Sequence, residues 1–194
     1  MSREELPNFS YVVLTLVGRY GAGPHDLVRM SRRGQRLYYA GAQSKMYEQP
    51  KRLEQLGYLT SEKTPGKTRE RTHYRLTEKG LEALREWIAQ PTSFPRIQND
   101  AITKVLASDL AEDPSAVVES LRSLRAEIRE LHEILDEAER QDVALPHRKR
   151  QLKLIRSYGR RMLQAHLDWI DEIERELGGA TCPARRRSRT DSAA

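Results

Sequence analysis

The sequence predicts a mainly α-helical chain with one small β-hairpin: an N-terminal unit of short helices followed by an arm of long ones. Three observations predict it. Apolar residues recur at helical spacing through most of the chain. Residues 44–80 instead run basic helix, strand, basic turn at Pro65-Gly66, strand and new helix start. From Val117 to Ala138 the apolar residues step by 4, 3, 4, 3, 4 and 3, a heptad seam that requires a partner helix.

A chain of 194 residues accommodates one ordinary domain or two small ones, and the charge distribution favours two. Residues 1–95 carry 16 basic and 10 acidic side chains, residues 96–177 carry 14 and 17, and residues 178–194 carry 4 and 1. The expected division is residues 1–93, residues 96–177 and a disordered basic tail, 178–194, joined through the Pro- and Ser-containing segment Pro91-Thr92-Ser93-Phe94-Pro95. The N-terminal apolar run of about eight residues, preceded by acids, is too short for a membrane helix of about 20 and unlike a signal peptide. A cytoplasmic protein without a membrane partner is expected. Cys182 is the only cysteine, which excludes a disulfide framework and a cysteine-based zinc site.

Phe9, Val12, Val13, Leu16, Val17 and Tyr20 share a helical face, and Gly21 and Gly23 end that helix. Pro24 suits the first turn of a second short helix, because the amide it lacks would have no partner there. Gly34 and Gly41 bracket the next loop. A third helix, about Ala42 to Leu56, stops at Gly57; Pro50 interrupts its pattern and predicts a kink or a fresh helix start. Tyr58–Glu62 and Thr72–Leu76 alternate with period two and form the hairpin. Thr77 caps the following helix, Glu78 to about Gln90, whose apolar stripe is Leu81, Leu84 and Ile88. The arm opens with a helix from about Gln98 to Leu110. After a capped start at Asp113-Pro114 comes the seam helix, with Val117, Leu121, Leu124, Ile128, Leu131, Leu135 and Ala138. The last helix, His147 to Leu177, presents Leu152, Ile155, Gly159, Met162, His166, Trp169, Ile173 and Leu177.

This order of elements in residues 1–93 is the layout of a winged helix-turn-helix. One helix of that layout enters a DNA groove and the hairpin wing grips the adjacent backbone. Between residues 43 and 75 there are eight Lys or Arg against four acids. That balance favours double-stranded DNA as the partner over a protein-binding adaptor that uses the winged unit and a coiled-coil arm for protein contacts. Gln43, Ser44, Lys45 and Tyr47 stand at the start of the recognition helix and Lys51 further along it; Lys63, Lys67, Arg69 and Arg71 flank the wing turn, where long cations suit phosphates. Tyr47 reads either as a phosphate contact or as a core anchor.

The string Ser44-Lys45-Met46-Tyr47, Lys51-Arg52-Leu53-Glu54, Gly57-Tyr58-Leu59 and Tyr74-Arg75-Leu76-Thr77, with Gly80, Leu84 and Trp87, resembles the PadR-like family of winged-helix transcriptional regulators over about residues 8–90. The chain departs from the family at Pro50, where a branched apolar residue is usual, and at Glu48, where Pro is usual. The resemblance implies a homodimeric repressor whose two long helices form a dimerisation arm. It also implies a palindromic operator and a small-molecule effector that releases the protein from it.

Val117, Leu121, Leu124, Ile128, Leu131, Leu135, Met162, Trp169 and Ile173 are the expected dimerisation residues; the seam reads equally as an intramolecular pair and as an intermolecular one. Gly159 reads as a close helix crossing or as a tolerated weak point, His166 as a hydrogen-bonded core histidine or as a ligand. Trp87 and Trp169 read as core or as an aromatic effector pocket. No histidine has a second ligand at metal spacing, and there is no nucleophile elbow, phosphate loop or paired acid set, so neither cofactor nor enzymatic activity is expected.

Overall fold

In the computed structural model, residues 6–35, 38, 44–65, 70–95, 97–113, 115–140 and 146–178 are described. They fall into two compact units, Met1–Pro95 and Arg96–Ala194.

The first unit contains α1 (Asn8–Val17), α2 (Pro24–Gln35), α3 (Lys45–Gln55), β1 (Leu59–Thr64), β2 (Arg71–Leu76) and α4 (Glu78–Ile88). Helix α1 is apolar on more than one face and buries Ser10, Val13, Leu14 and Val17. It ends at Gly18, three residues before the glycine the sequence suggests, so Tyr20 lies beyond it and is exposed rather than part of its stripe. Helix α2 starts at Pro24 as expected, with Leu27 N–H bonded to Gly23 O, but runs through Gly34 instead of stopping there. Gly41 lies outside the described residues, as do Ala42 and Gln43. Helix α3 passes through Pro50 as one element without the fresh start expected there. Pro50 is fully buried, so its ring packs in the core beside Met46 and Leu53. The C-terminus of α3 follows from Gly57, whose φ of 75° opens the left-handed turn. Gly57 N–H donates to Glu54 O and Tyr58 N–H to Leu53 O, the paired bonds of a Schellman end.

The hairpin is antiparallel, with Leu59 opposite Leu76, Ser61 opposite Tyr74 and Lys63 opposite Thr72. Leu59 and Tyr74 bury one face of it. Tyr74 also exchanges both backbone hydrogen bonds with Ala22, each 3.0 Å, which ties the wing to the α1–α2 connection. Thr77 caps α4 as expected: its Oγ1 accepts from Gly80 N–H at 3.1 Å and donates to Gly57 O at 2.7 Å. The stripe of α4 differs from expectation at its end. Gly80 and Leu84 are buried and Trp87 stacks on Tyr11 with centroids 4.9 Å apart, whereas Ile88, one residue past that face, is exposed.

The second unit contains α5 (Asp100–Leu106), a 3₁₀ turn (Ala107–Leu110), α6 (Ser115–Ser120), α7 (Arg122–Arg140), a second 3₁₀ turn (Pro146–Arg148) and α8 (Lys149–Leu177). The expected helix from Gln98 is thus shorter: Asn99 caps α5 by accepting from Ala101 N–H, and the last turn tightens to 3₁₀. The seam helix is two helices, broken at Leu121. There Leu121 N–H bonds Val118 O, and the hydroxyls of Ser120 and Ser123 donate to the carbonyls of Val117 and Ser120, offering the backbone alternatives to the regular ladder.

Helices α6 and α7 pack on α8, and the ion pairs give α7 and α8 opposite directions: Arg125 meets Asp171 and Glu174 at 2.6 and 3.0 Å, and Arg160 meets Asp136 and Glu139 at 2.8 and 2.6 Å. Val117, Leu121, Ile128, Leu131 and Leu135 are buried in this unit, and Leu124 is half-buried. On α8 the buried face is centred on Arg156, Gly159, Leu163, Ile170 and Ile173; Met162 and Trp169 flank it half-buried. Ile155, expected on that face, is exposed. His166 is half-buried, with Nδ1 2.8 Å from Met162 O. Among the described residues no helix is long and apolar enough to cross a membrane.

Candidate nucleic-acid interface

Helix α3 is held on its inner side from three directions. Met46, Pro50 and Leu53 enter the core, Gln49 Nε2 donates to the buried Ser10 Oγ of α1 at 2.8 Å, and Ser61 of β1 donates to Glu54. Lys79 of α4 donates to Leu56 O at 2.6 Å while its ammonium lies 4.3 Å from the centroid of the Tyr58 ring. These ties leave one face outward. Ser44, Glu48, Lys51 and Gln55 recur on it at helical spacing, with Arg52 and Lys45 on one flank and Tyr47 on the other; all seven are exposed.

Ser44 does not cap α3 through its hydroxyl; its backbone is already helical and its carbonyl accepts from Tyr47 and Glu48 N–H. Glu48 sits in the first turn, where the helix dipole favours a negative group. Tyr47 is 41% exposed and its ring meets His25 of α2 edge-on at 6.1 Å. Lys51 and Arg52 supply adjacent cations, and Arg52 is absent from the residues that sequence position alone selects. The signal for it was available: once Met46, Pro50 and Leu53 are assigned inward, residue 52 must project outward.

On the wing, opposed residues share a face, so Lys63 lies on the side of Leu59 and Tyr74 and Arg71 on the other. Lys63 Nζ donates to Thr72 Oγ1 at 3.2 Å. Glu62, an acid that would dilute the wing charge, is paired instead with Arg75 across the strands at 2.9 Å. Lys67 and Arg69 lie outside the described residues, as does Gln43. The described site residues therefore form two groups, Ser44, Lys45, Tyr47 and Lys51 on α3 and Lys63 and Arg71 at the hairpin. Among the described residues no cluster of three or more His, Cys, Asp or Glu is placed to hold a metal.

The sequence matches a winged helix DNA-binding domain over residues 40–90 and the model of the virulence activator alpha C-terminal region over residues 97–178. Among solved structures, Bacillus subtilis PadR in complex with operator DNA superposes with a TM-score of 0.75 at 15% identity, covering 88% of this chain and 99% of that one. The fold is that of the PadR-like winged-helix regulators. The Vibrio cholerae virulence activator AphA matches with a TM-score of 0.68 at 22% identity, over 88% of this chain and 98% of that one. Bacillus subtilis PadR in complex with p-coumaric acid gives 0.68 at 16% identity, over 88% and 98%. Comparison with curated protein sequences returns no match. The PadR-like likeness extends through both units, whereas the motifs that suggest it in the sequence end at about residue 90.

Proposed function

We propose that this chain is a cytoplasmic, homodimeric transcriptional repressor that binds an inverted-repeat operator through α3 and the wing and acts by binding rather than by catalysis. The observation that carries the reading is the outward face of α3, where Lys45, Lys51 and Arg52 project from a helix anchored by Met46, Pro50 and Leu53. A rigid basic helix beside a basic hairpin matches DNA in both shape and charge. Bacillus subtilis PadR, similar in fold, has been solved with operator DNA, which supports the same partner here. Its complex with p-coumaric acid supports an effector of small-molecule class. An effector that changes the separation of the two recognition helices weakens binding to a site of fixed half-site spacing, which supplies the coupling.

Footprinting on the DNA upstream of the chain's own gene, with light scattering of the complex, tests this. The expected result is protection of an inverted repeat by two protomers per duplex. Equal affinity for random duplex at about 0.15 M salt, a regime in which specific binding normally exceeds non-specific binding by at least about 1,000-fold, would overturn it.

A further inference from the structure

Helix α2 brings a histidine to the start of α3. His25 stands in the first turn of α2 and Tyr47 in the first turn of α3; both are exposed, and their rings meet edge-on with centroids 6.1 Å apart. In a helix-turn-helix the second helix enters the groove while the first crosses the sugar-phosphate backbone, and α2 and α3 pack as such a pair. His25 and Tyr47 therefore meet where the backbone would pass from one helix to the other. An imidazole N–H and a phenol O–H side by side both donate, and the acceptor that DNA offers at that place is a phosphate oxygen. Core packing does not account for the pair: Tyr11 and Trp87, also stacked rings, lie against the core, whereas His25 and Tyr47 are exposed.

The charged groups around His25 favour an anion as its partner. On its own helix the adjacent acid, Asp26, is paired with Arg29 at 2.8 Å. On α3 the outward face beside Tyr47 carries one acid of the first turn, Glu48, against Lys45, Lys51 and Arg52. Helix α1, which also packs on α2, carries no charged residue. Histidine is also the side chain whose ordinary titration falls within the physiological range, so an imidazole held against a phosphate makes binding depend on pH.

We propose that His25 and Tyr47 clamp one DNA phosphate between α2 and α3, and that His25 does so as imidazolium, each head taking up one proton from solvent as it binds. The sign follows from linkage. Bound phosphate favours the charged imidazole, so affinity rises as pH falls and the gain is lost as pH rises. The inference rests on the DNA-binding reading above and adds a residue of α2, and a regulation by pH, to the face of α3. One further cation on a phosphate raises the slope of log affinity against log salt by about 0.9, which at about 0.15 M salt is roughly fivefold on a half-site and roughly 20-fold on a full repeat bound by two heads.

The test is fluorescence anisotropy of the full chain on a labelled half-site duplex, with a mixed-sequence duplex beside it, at about pH 5.5, where an imidazole is mostly charged, and about pH 8, where it is mostly neutral. The wild type should bind both duplexes roughly fivefold more tightly at the lower pH, because a phosphate contact is independent of sequence. His25→Gln should bind equally at both pH values. His25→Lys, whose charge is fixed, should hold the tighter affinity at both. His73→Gln, at the other described histidine of the first unit, should keep the wild-type pH dependence. A His25→Gln or His25→Lys protein that still gains affinity at the lower pH overturns the proposal, and so does a His73→Gln protein that loses the gain. Tyr47→Phe tests the sharing of one phosphate: at the lower pH its loss combined with that of His25→Gln should be smaller than the sum of the two. Strict additivity places the side chains on separate phosphates and overturns the clamp. A wild type that binds the half-site equally at both pH values overturns the proposal and leaves the DNA-binding reading intact, whereas one that binds neither the half-site nor the full repeat overturns that reading itself.

Discussion

Lys51 and Arg52 offer the most direct test of which face of α3 meets DNA. Replacing both with Ala removes two exposed cations from a helix whose inner side is fixed by Met46, Pro50 and Leu53. Stability should barely change, since exposed substitutions typically move it by no more than about 0.5 kcal/mol and Ala is the strongest helix former. Binding should change in a calculable way. Removing one cation from a phosphate lowers the slope of log affinity against log salt by about 0.9, so on a single half-site the slope should fall by about 1.8. With about 1 M salt as the point where this term vanishes, that is roughly 30-fold in affinity at about 0.15 M. A full site engaged by two heads feels the substitution twice, giving a slope change of about 3.6 and a roughly 1,000-fold loss. Fluorescence anisotropy on labelled half-site and full-site duplexes, from about 0.05 to 0.4 M salt, the range over which this dependence is steep, reads both numbers. An unchanged slope on the half-site would show that the outward face of α3 does not lie against phosphates. A slope change equal on half-site and full site would show that only one head binds.

Other perturbations separate the roles of neighbouring groups. Alanine at Lys63 and Arg71, and at Lys67 and Arg69, should flatten the salt dependence without altering the sequence selected from a random duplex pool; an altered consensus would give the wing a base-reading role. Thr77→Ala removes both the cap on Gly80 N–H and the bond to Gly57 O, about 1 kcal/mol each; Thr77→Ser should restore most of the loss in a urea titration, and equal damage from both variants would refute the hydrogen-bond account. Gly80→Val should disrupt the first unit, because even a Cβ at that position would collide with the backbone carbonyl of Tyr58, and a native-like circular dichroism melt would show that α4 can move away. Leu131→Lys buries an ammonium inside the arm at a cost of several kcal/mol and should reduce helicity, whereas Leu106→Lys, at the exposed end of α5, should preserve it.

The parts of the fold legible in the sequence are those fixed by short-range chemistry. Gly57 needs a left-handed φ, Thr77 needs only the next turn, and the hairpin needs only alternation, so all three sit where their residue types place them. Errors arise where the same pattern permits several outcomes. Helix α1 has apolar residues on most of its surface, so periodicity cannot show that Leu14 and Ser10 are fully buried while Tyr20 is beyond the helix. Ile88 and Ile155 have the apolar character of a stripe yet stay exposed, because burial depends on which face the rest of the unit packs against. Arg156 is the converse, a cation on a buried face that no count of apolar residues finds. At the candidate interface the residue types were legible and the outward direction was not. Arg52 and Gln55 join Lys51 only once the inward residues of α3 are known.

The heptad seam shows why periodicity leaves a partner's identity open. A run from Val117 to Ala138 specifies that an apolar strip must be covered, and a helix of the same chain covers it as well as a helix of another. Here α8 is antiparallel to α7 and is clamped to it at both ends, by Arg125 with Asp171 and Glu174 and by Arg160 with Asp136 and Glu139. These exposed pairs contribute little individually, and their value is in register: each joins one arginine to two acids that are three residues apart on the facing helix. With Ile128, Leu131, Leu135, Leu163 and Ile170 buried between the helices, the seam has its partner inside the chain. Leu124, Met162 and Trp169 stay half-buried in this pairing, so the strip is not wholly covered by it. Among the described residues of this unit, Ile97, Ile102, Leu106, Leu110, Leu154, Ile155 and Tyr158 are exposed. A lysine at Leu131 therefore separates the two readings of the seam: lost helicity marks it as the unit's own core, whereas retained helicity with a smaller sedimentation coefficient marks it as a contact between copies.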